Sequence, residues 1–275
     1  MKQERYAYIV SDRTGLTAEA MAQSLLTQFP DINFHTRLVP FIDDEVKAQA
    51  LLNEINESTD KAGNKSLVFV TLVDDPIRDI INSGNCVVYD LFDTFIGPME
   101  RELDMHSSHT VGQSHGVKDT SAYTSRMAAV HFAMQTDDGM DTGHYSRSDL
   151  IITGVSRSGK TPTSLYLSLH FGLYVSNYPL TVDELERKRL PEVLIAHREK
   201  VFGLTIDPLR LLQIRQERYR GESYSSAQTC QTEVAQAENM FRVARIPYIN
   251  TTRMSVEEIG ATILHRAGLR RRVKL

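Results

Sequence analysis

The sequence has little cysteine, no excess of basic charge and no long apolar run, and each shortage removes a class of protein. Cys86 and Cys230 stand alone, with no CxxC and no ligand spacing around them. A disulfide scaffold therefore falls away, and reduced, partly buried thiols are expected. Against 35 acidic residues there are 31 basic ones, a net charge of −4, which offers no broad positive field to hold a polyanion. Nucleic acid is not an expected partner. Nowhere do roughly 18 apolar residues run together, and the opening Met1-Lys-Gln-Glu-Arg-Tyr6 reaches charge before an apolar stretch forms, so neither membrane insertion nor export is expected. A cytoplasmic location follows from both. No low-complexity tract and no internal repeat is visible.

What is present is the composition of an ordinary globular enzyme, 275 residues with 41% hydrophobic and 24% charged content. Apolar runs at 6–10, 67–73 and 86–90 read as buried strands, and helical spacing at 14–29, 43–57 and 76–82 places helices between them. The alternation predicts an α/β domain with a largely parallel sheet over 1–147. From 103 to 119 the periodicity breaks into His, Ser, Gly and Thr, the mark of a long loop, before a helix over 121–135 and a polar connector. Strands at 150–153, 173–178, 201–206 and 246–250, with helices at 162–171, 208–218, 228–244 and 255–267, predict a mononucleotide-binding α/β domain over 148–275.

Between the first of these strands and its helix the chain reads Gly154-Val155-Ser156-Arg157-Ser158-Gly159-Lys160-Thr161. This is a complete G-x-x-x-x-G-K-[ST] phosphate-binding loop in the context it requires. Gly154 and Gly159 let the backbone curl and aim N–H groups at phosphate oxygens, Lys160 brings a mobile cation to the outer phosphates, and Thr161 offers a hydroxyl to magnesium. Bound phosphates, and hence a nucleotide, are the expectation.

Other candidates each carry a plainer reading beside the chemical one. Asp207 follows a strand end, where it could hold magnesium or take a proton, but Asp207-Pro208 also suits a helix N-cap. Asp137-Asp138-Gly139 pairs two carboxylates at a helix end, and is also a common turn. Ser11-Asp12-Arg13-Thr14-Gly15 is a ligand-facing loop or a helix cap. His106, His109, His115 and His144 invite a metal reading that no cysteine or carboxylate completes. Arg215, Arg218 and Arg220 could form a lid over phosphates or a charged helix face, and Arg270 to Lys274 reads as a solvated tail.

Several stretches together resemble the bacterial phosphoenolpyruvate synthetase regulatory proteins, relatives of the plant pyruvate, phosphate dikinase regulatory protein. They are Ser11-Asp12 with Thr14 and Thr17-Ala-Glu19, Gln28-Phe-Pro30, Asp137-Asp138-Gly139, the phosphate loop with Pro162-Thr-Ser-Leu-Tyr-Leu167, Asn177-Tyr-Pro179, Phe202-Gly-Leu-Thr-Ile-Asp-Pro208 and Ser255-Val-Glu-Glu-Ile259. The resemblance spans nearly the whole chain. It implies a bifunctional serine/threonine kinase and phosphorylase that phosphorylates a target threonine from ADP and removes the phosphate with inorganic phosphate, releasing pyrophosphate. On that resemblance the partner is phosphoenolpyruvate synthetase, the loop binds ADP or phosphate, Arg157 steadies the moving group, and Asp207, with Asp138 in competition, is the base. Arg13 departs from the small residue expected in the family's first loop, while Gly159 matches the bacterial branch. A small-molecule kinase and a nucleotide-gated binding module are the alternatives, and a homo-oligomer stays open.

Overall fold

The computed structural model describes residues 3–108, 120–218, 226–270 and 272. The chain divides into two compact units, Met1–Gly116 and Val117–Leu275. The first runs β1 (Gln3–Ser11), α1 (Leu16–Leu26), β2 (Ile32–Val39), α2 (Glu45–Ala62), β3 (Ser66–Thr71), α3 (Asp75–Asn82), β4 (Cys86–Asp90) and α4 (Asp93–Leu103). Its strands are all parallel, in the order β2-β1-β3-β4. Successive side chains leave a strand on opposite faces, so Tyr8 and Val10 enter one core with Ile55 and Val70, while Ala7 and Ile9 enter another with Ala22 and Phe69. Burial on both faces is what makes β1 and β3 read as continuous apolar runs.

Two elements of this unit are absent from the sequence reading. β2 lies at the sheet edge, where its central His35, Thr36 and Arg37 are exposed and blur any alternation. α4 contains Gly97 and Pro98 and buries none of its residues, so neither propensity nor an apolar face announces it.

The second unit opens with α5 (Thr120–Gln135) and two short 3-10 turns, Asp137–Gly139 and Thr142–Arg147. β5 (Leu150–Gly154), α6 (Lys160–Phe171), β6 (Val175–Pro179), α7 (Val182–Glu186), α8 (Glu192–Ile195), β7 (Val201–Thr205), α9 (Pro208–Arg218), α10 (Ala227–Ala244), β8 (Tyr248–Asn250) and α11 (Val256–Ala267) follow. The strands are again parallel, in the order β6-β5-β7-β8. Ile151 points into a core with Phe241 and Met240, its neighbours Leu150 and Ile152 into a core with Phe202 and Ile263. The expected boundary at 147/148 falls inside this unit, because α5 packs along α6 and β6 and Phe132 stacks on Tyr174 with ring centroids 4.8 Å apart.

The two units repeat one topology, which the sequence did not reveal. In each, the first central strand ends in a loop and a left-handed glycine, Gly15 (φ 75°) or Gly159 (φ 94°), that starts the next helix. The matching stretches are Arg13-Thr14-Gly15-Leu16-Thr17 and Arg157-Ser158-Gly159-Lys160-Thr161. Five positions with three identities are too few to stand out in a single sequence. They become comparable only when the sheets are laid over each other.

Gly203 shows how tightly the second unit is packed. A Cβ on it would lie 2.8 Å from both the Phe241 ring and the Tyr248 Cβ. Gly203→Ala is expected to lower unfolding free energy by about 1–3 kcal/mol, read from the midpoint of a urea titration.

Candidate active site

β5 is buried along its whole length and delivers Gly154 to the C-terminal end of the sheet. There a Cβ would collide with the Leu204 carbonyl oxygen of β7, so only glycine lets the chain pass. Arg157 (φ 75°) and Gly159 (φ 94°) then take left-handed conformations, which fold the intervening peptides into a concave turn able to cradle an anion. α6 begins at Lys160 with no side chain capping it, which leaves its positive end to that turn.

Lys160 is 5% exposed, and its Nζ donates to the Val155 carbonyl oxygen at 3.0 Å. Burial lowers its pKa to about 8, against the upward pull of the Asp138 and Asp137 carboxylates, with Arg157 and Arg215 adding to the downward push. Thr161 Oγ1 donates to Asp137 Oδ1 at 2.9 Å. Asn177, wholly buried in β6, binds both acidic neighbours: its Nδ2 donates to the Asp137 carboxylate, and its Oδ1 accepts from the Asp138 N–H at 2.9 Å. Asp138 takes a left-handed conformation (φ 48°) on this turn, and a Cβ on the next residue, Gly139, would lie 3.2 Å from the Tyr178 ring. The Asp138 side chain stays exposed.

These groups meet in one cavity of about 600 Å³, lined by Asp137, Asp138, Arg157, Lys160 and Thr161 among others. The loop residues Gly154 to Thr161 and the acidic turn, read separately from the sequence, are thus brought together. Asp207 is not among the residues lining that cavity. Its Oδ1 accepts from the N–H groups of Leu209 at 2.9 Å and Arg210 at 3.1 Å, so the plainer reading, an N-cap for α9, describes what its carboxylate does here.

Arg215 is neither a lid nor an exposed face. It is buried and pairs with Glu233 at 2.6 Å, and its Nη2 also reaches the Ser156 carbonyl oxygen of the loop at 3.4 Å. The side chains of Arg218 and Arg220 lie outside the described residues, as do His109 and His115. His144 pairs with Asp141 at 2.7 Å, and among the described residues no group of three or more His, Cys, Asp or Glu could hold a metal. Gly15, not Thr14, occupies the cap position of α1, and Asp12 beside it is half-buried, its carboxyl pushed up by burial. The tail is partly anchored, since Arg272 pairs with Asp149 at 3.3 Å and covers the Tyr174 ring. Asn177 and Glu233 had no assigned role in the sequence reading. Asn177 stands out only within the Asn177-Tyr-Pro179 stretch, and neither an Asn in a strand nor a Glu in a helix shows its role until its partners are known.

A model of the family described as Kinase/pyrophosphorylase matches residues 7–264. The chain belongs to the kinase/pyrophosphorylase family. It is 49% identical to a protein of Alkalilimnicola ehrlichii, over 98% of both chains. It is 48% identical to one of Pseudomonas fluorescens and 46% to one of Legionella pneumophila, in each case over 98% of this chain and 100% of the relative. All three carry the name "Putative phosphoenolpyruvate synthase regulatory protein". For a kinase/pyrophosphorylase, a lysine at a phosphate loop facing two carboxylates is chemically apt, because phosphoryl transfer needs positioned cations and a proton acceptor.

Holding that lysine out of water works against folding. Its folded pKa of about 8 lies below the ordinary 10.5, so the penalty is fully present below about pH 8 and fades as pH rises toward 10.5. Lys160→Met is expected to stabilise the protein at pH 7 by on the order of 3 kcal/mol, a gain that vanishes near pH 10.5 in pH-resolved denaturation. In the unchanged protein, phosphate affinity measured by calorimetry should fall as pH rises through about 8, where Lys160 loses its proton.

Proposed function

We propose that this protein is a bifunctional regulator of phosphoenolpyruvate synthetase. It transfers the β-phosphoryl group of ADP to a threonine of that enzyme, switching it off, and removes the group with inorganic phosphate, switching it on again. The full-length likeness to relatives named for regulating that synthase supports the target, and the family description supports the two directions. The observation that carries the reading is a single cavity holding the Lys160 ammonium, the Thr161 hydroxyl and the exposed Asp138 carboxylate.

In the forward direction the loop from Gly154 to Lys160 holds the ADP phosphates. Asp138 accepts the proton of the threonine hydroxyl as its oxygen bonds to the β-phosphorus, the bond from that phosphorus to the bridging oxygen breaks, and AMP leaves. In reverse, inorganic phosphate occupies the same cradle, its oxygen attacks the phosphothreonine phosphorus, Asp138 returns a proton to the departing threonine oxygen, and pyrophosphate leaves. Arg157 and Lys160 neutralise the charge on the moving group. Asp138 is preferred to Asp207 as the base because its side chain faces the cavity, whereas that of Asp207 caps α9. The Thr161 hydroxyl and the Asp137 carboxylate, 2.9 Å apart, are hard oxygen donors suited to magnesium. That ion would supply charge neutralisation on the phosphates.

The purified protein is to be incubated with phosphoenolpyruvate synthetase and ADP, then with phosphate, while target phosphothreonine is followed by mass spectrometry. Gain followed by loss is expected. Label on a soluble compound would instead mark a small-molecule kinase, and ADP binding without any transfer a binding module. Lys160→Ala should lose both directions together. Asp138→Asn should lower turnover by roughly a hundredfold or more in both directions while sparing ADP affinity. Asp207→Asn, which can still cap the helix, should keep most of it, and the opposite ranking would return the role to Asp207.

A further inference from the structure

Two cavities meet the phosphate loop, and they share Arg157, Gly159, Pro162 and Ile214. The larger holds both carboxylates of the acidic turn, together with Lys160 and Thr161. The smaller, of about 270 Å³, is different in kind. Among the described residues no carboxylate lines it; its walls include Ile206, Met254, Val256 and Ile259, with Arg210 and the hydroxyl residues Ser158, Thr163, Thr251 and Thr252. Ser158 is 1% exposed, and its hydroxyl finds no hydrogen-bond partner among the described residues. The wall is tied to the loop, since Thr251 Oγ1 donates to the Ser158 carbonyl oxygen at 3.1 Å. It also lies at the C-terminal ends of β7 and β8, where parallel α/β sheets receive ligands.

A nucleoside diphosphate anchored by its phosphates must send its base and sugar into one of these two spaces. In the larger they would bury two carboxylates against an apolar ring and exclude the acceptor hydroxyl that Asp138 has to meet. In the smaller they find aliphatic walls for the ring, hydroxyls for polar edges and a guanidinium able to lie over a π face. We infer that the smaller cavity is the nucleoside subsite, so that the donor straddles the phosphate loop and leaves the Asp137–Asp138 cavity to the acceptor. This rests on the proposed ADP and phosphate reactions. It adds that only one of them uses the smaller cavity, because inorganic phosphate and pyrophosphate carry no nucleoside.

The two directions should therefore separate on substitution there. Met254→Trp, which fills the cavity, is expected to raise KM for ADP about tenfold or more, with a shift of less than about twofold in KM for phosphate in the reverse reaction. Equal rises in both would overturn the assignment. Should the tryptophan variant not fold, photolabelling of the unchanged protein with 8-azido-ADP decides: ADP-protected label within 206–210 or 251–259 supports the subsite, and label within 135–141 or at Leu165 overturns it. If the unchanged protein neither binds ADP by calorimetry nor reacts with it, while phosphate still removes the target's phosphoryl group, the donor reading has failed and the subsite falls with it.

Discussion

A lysine ammonium is held almost wholly out of water at the end of a parallel sheet, and much of the second unit answers to that fact. Burial alone would drive Lys160 toward neutrality, where it could not neutralise a phosphate. The two carboxylates of the 137–139 turn oppose that drift. Asn177 holds that turn from β6, through the side chain of one aspartate and the backbone of the other. On the opposite side, Arg215 supports the loop at Ser156. Its own charge adds to the downward push on Lys160, while it is itself paired with Glu233 at 2.6 Å. The acidic turn, the strand behind it and the buried ion pair are therefore one electrostatic arrangement around a single cation.

What could be read in advance followed the range over which each feature is determined. The central strands β1, β3, β5 and β7 were legible because both faces are buried, which leaves an unbroken apolar run. β2 was not, since an edge strand with His35, Thr36 and Arg37 at its centre satisfies its sheet through the backbone. The phosphate loop was legible because eight consecutive residues suffice for it. Its acidic partner was visible as a motif but not as a partner. The contact between Thr161 and Asp137 joins residues 24 apart, and the Asn177 that secures it is 40 away from Asp137. Asp207 shows the converse difficulty, because the same aspartate after a strand suits both a ligand site and a helix cap, and only the location of its carboxylate decides.

The repeated topology of the two units separates fold from chemistry. Each presents a left-handed glycine and a fresh helix end at the same point of the same sheet. The first helical residue is Leu16 in one and Lys160 in the other. An identical frame thus carries an apolar, 59% exposed side chain in the first unit and a buried cation in the second. Residues placed on the frame, not the frame itself, distinguish the two loops.

The hydrogen bond from Lys160 to the Val155 carbonyl oxygen gives the loop an internal stand-in for its guest. An ammonium already satisfied by a neutral oxygen does not have to be stripped of water when an anion arrives; it exchanges one acceptor for a better one. Such an exchange asks little rearrangement of the chain and makes release as easy as capture. That symmetry suits the proposed pair of reactions, in which the cradle accepts a diphosphate in one direction and surrenders pyrophosphate in the other.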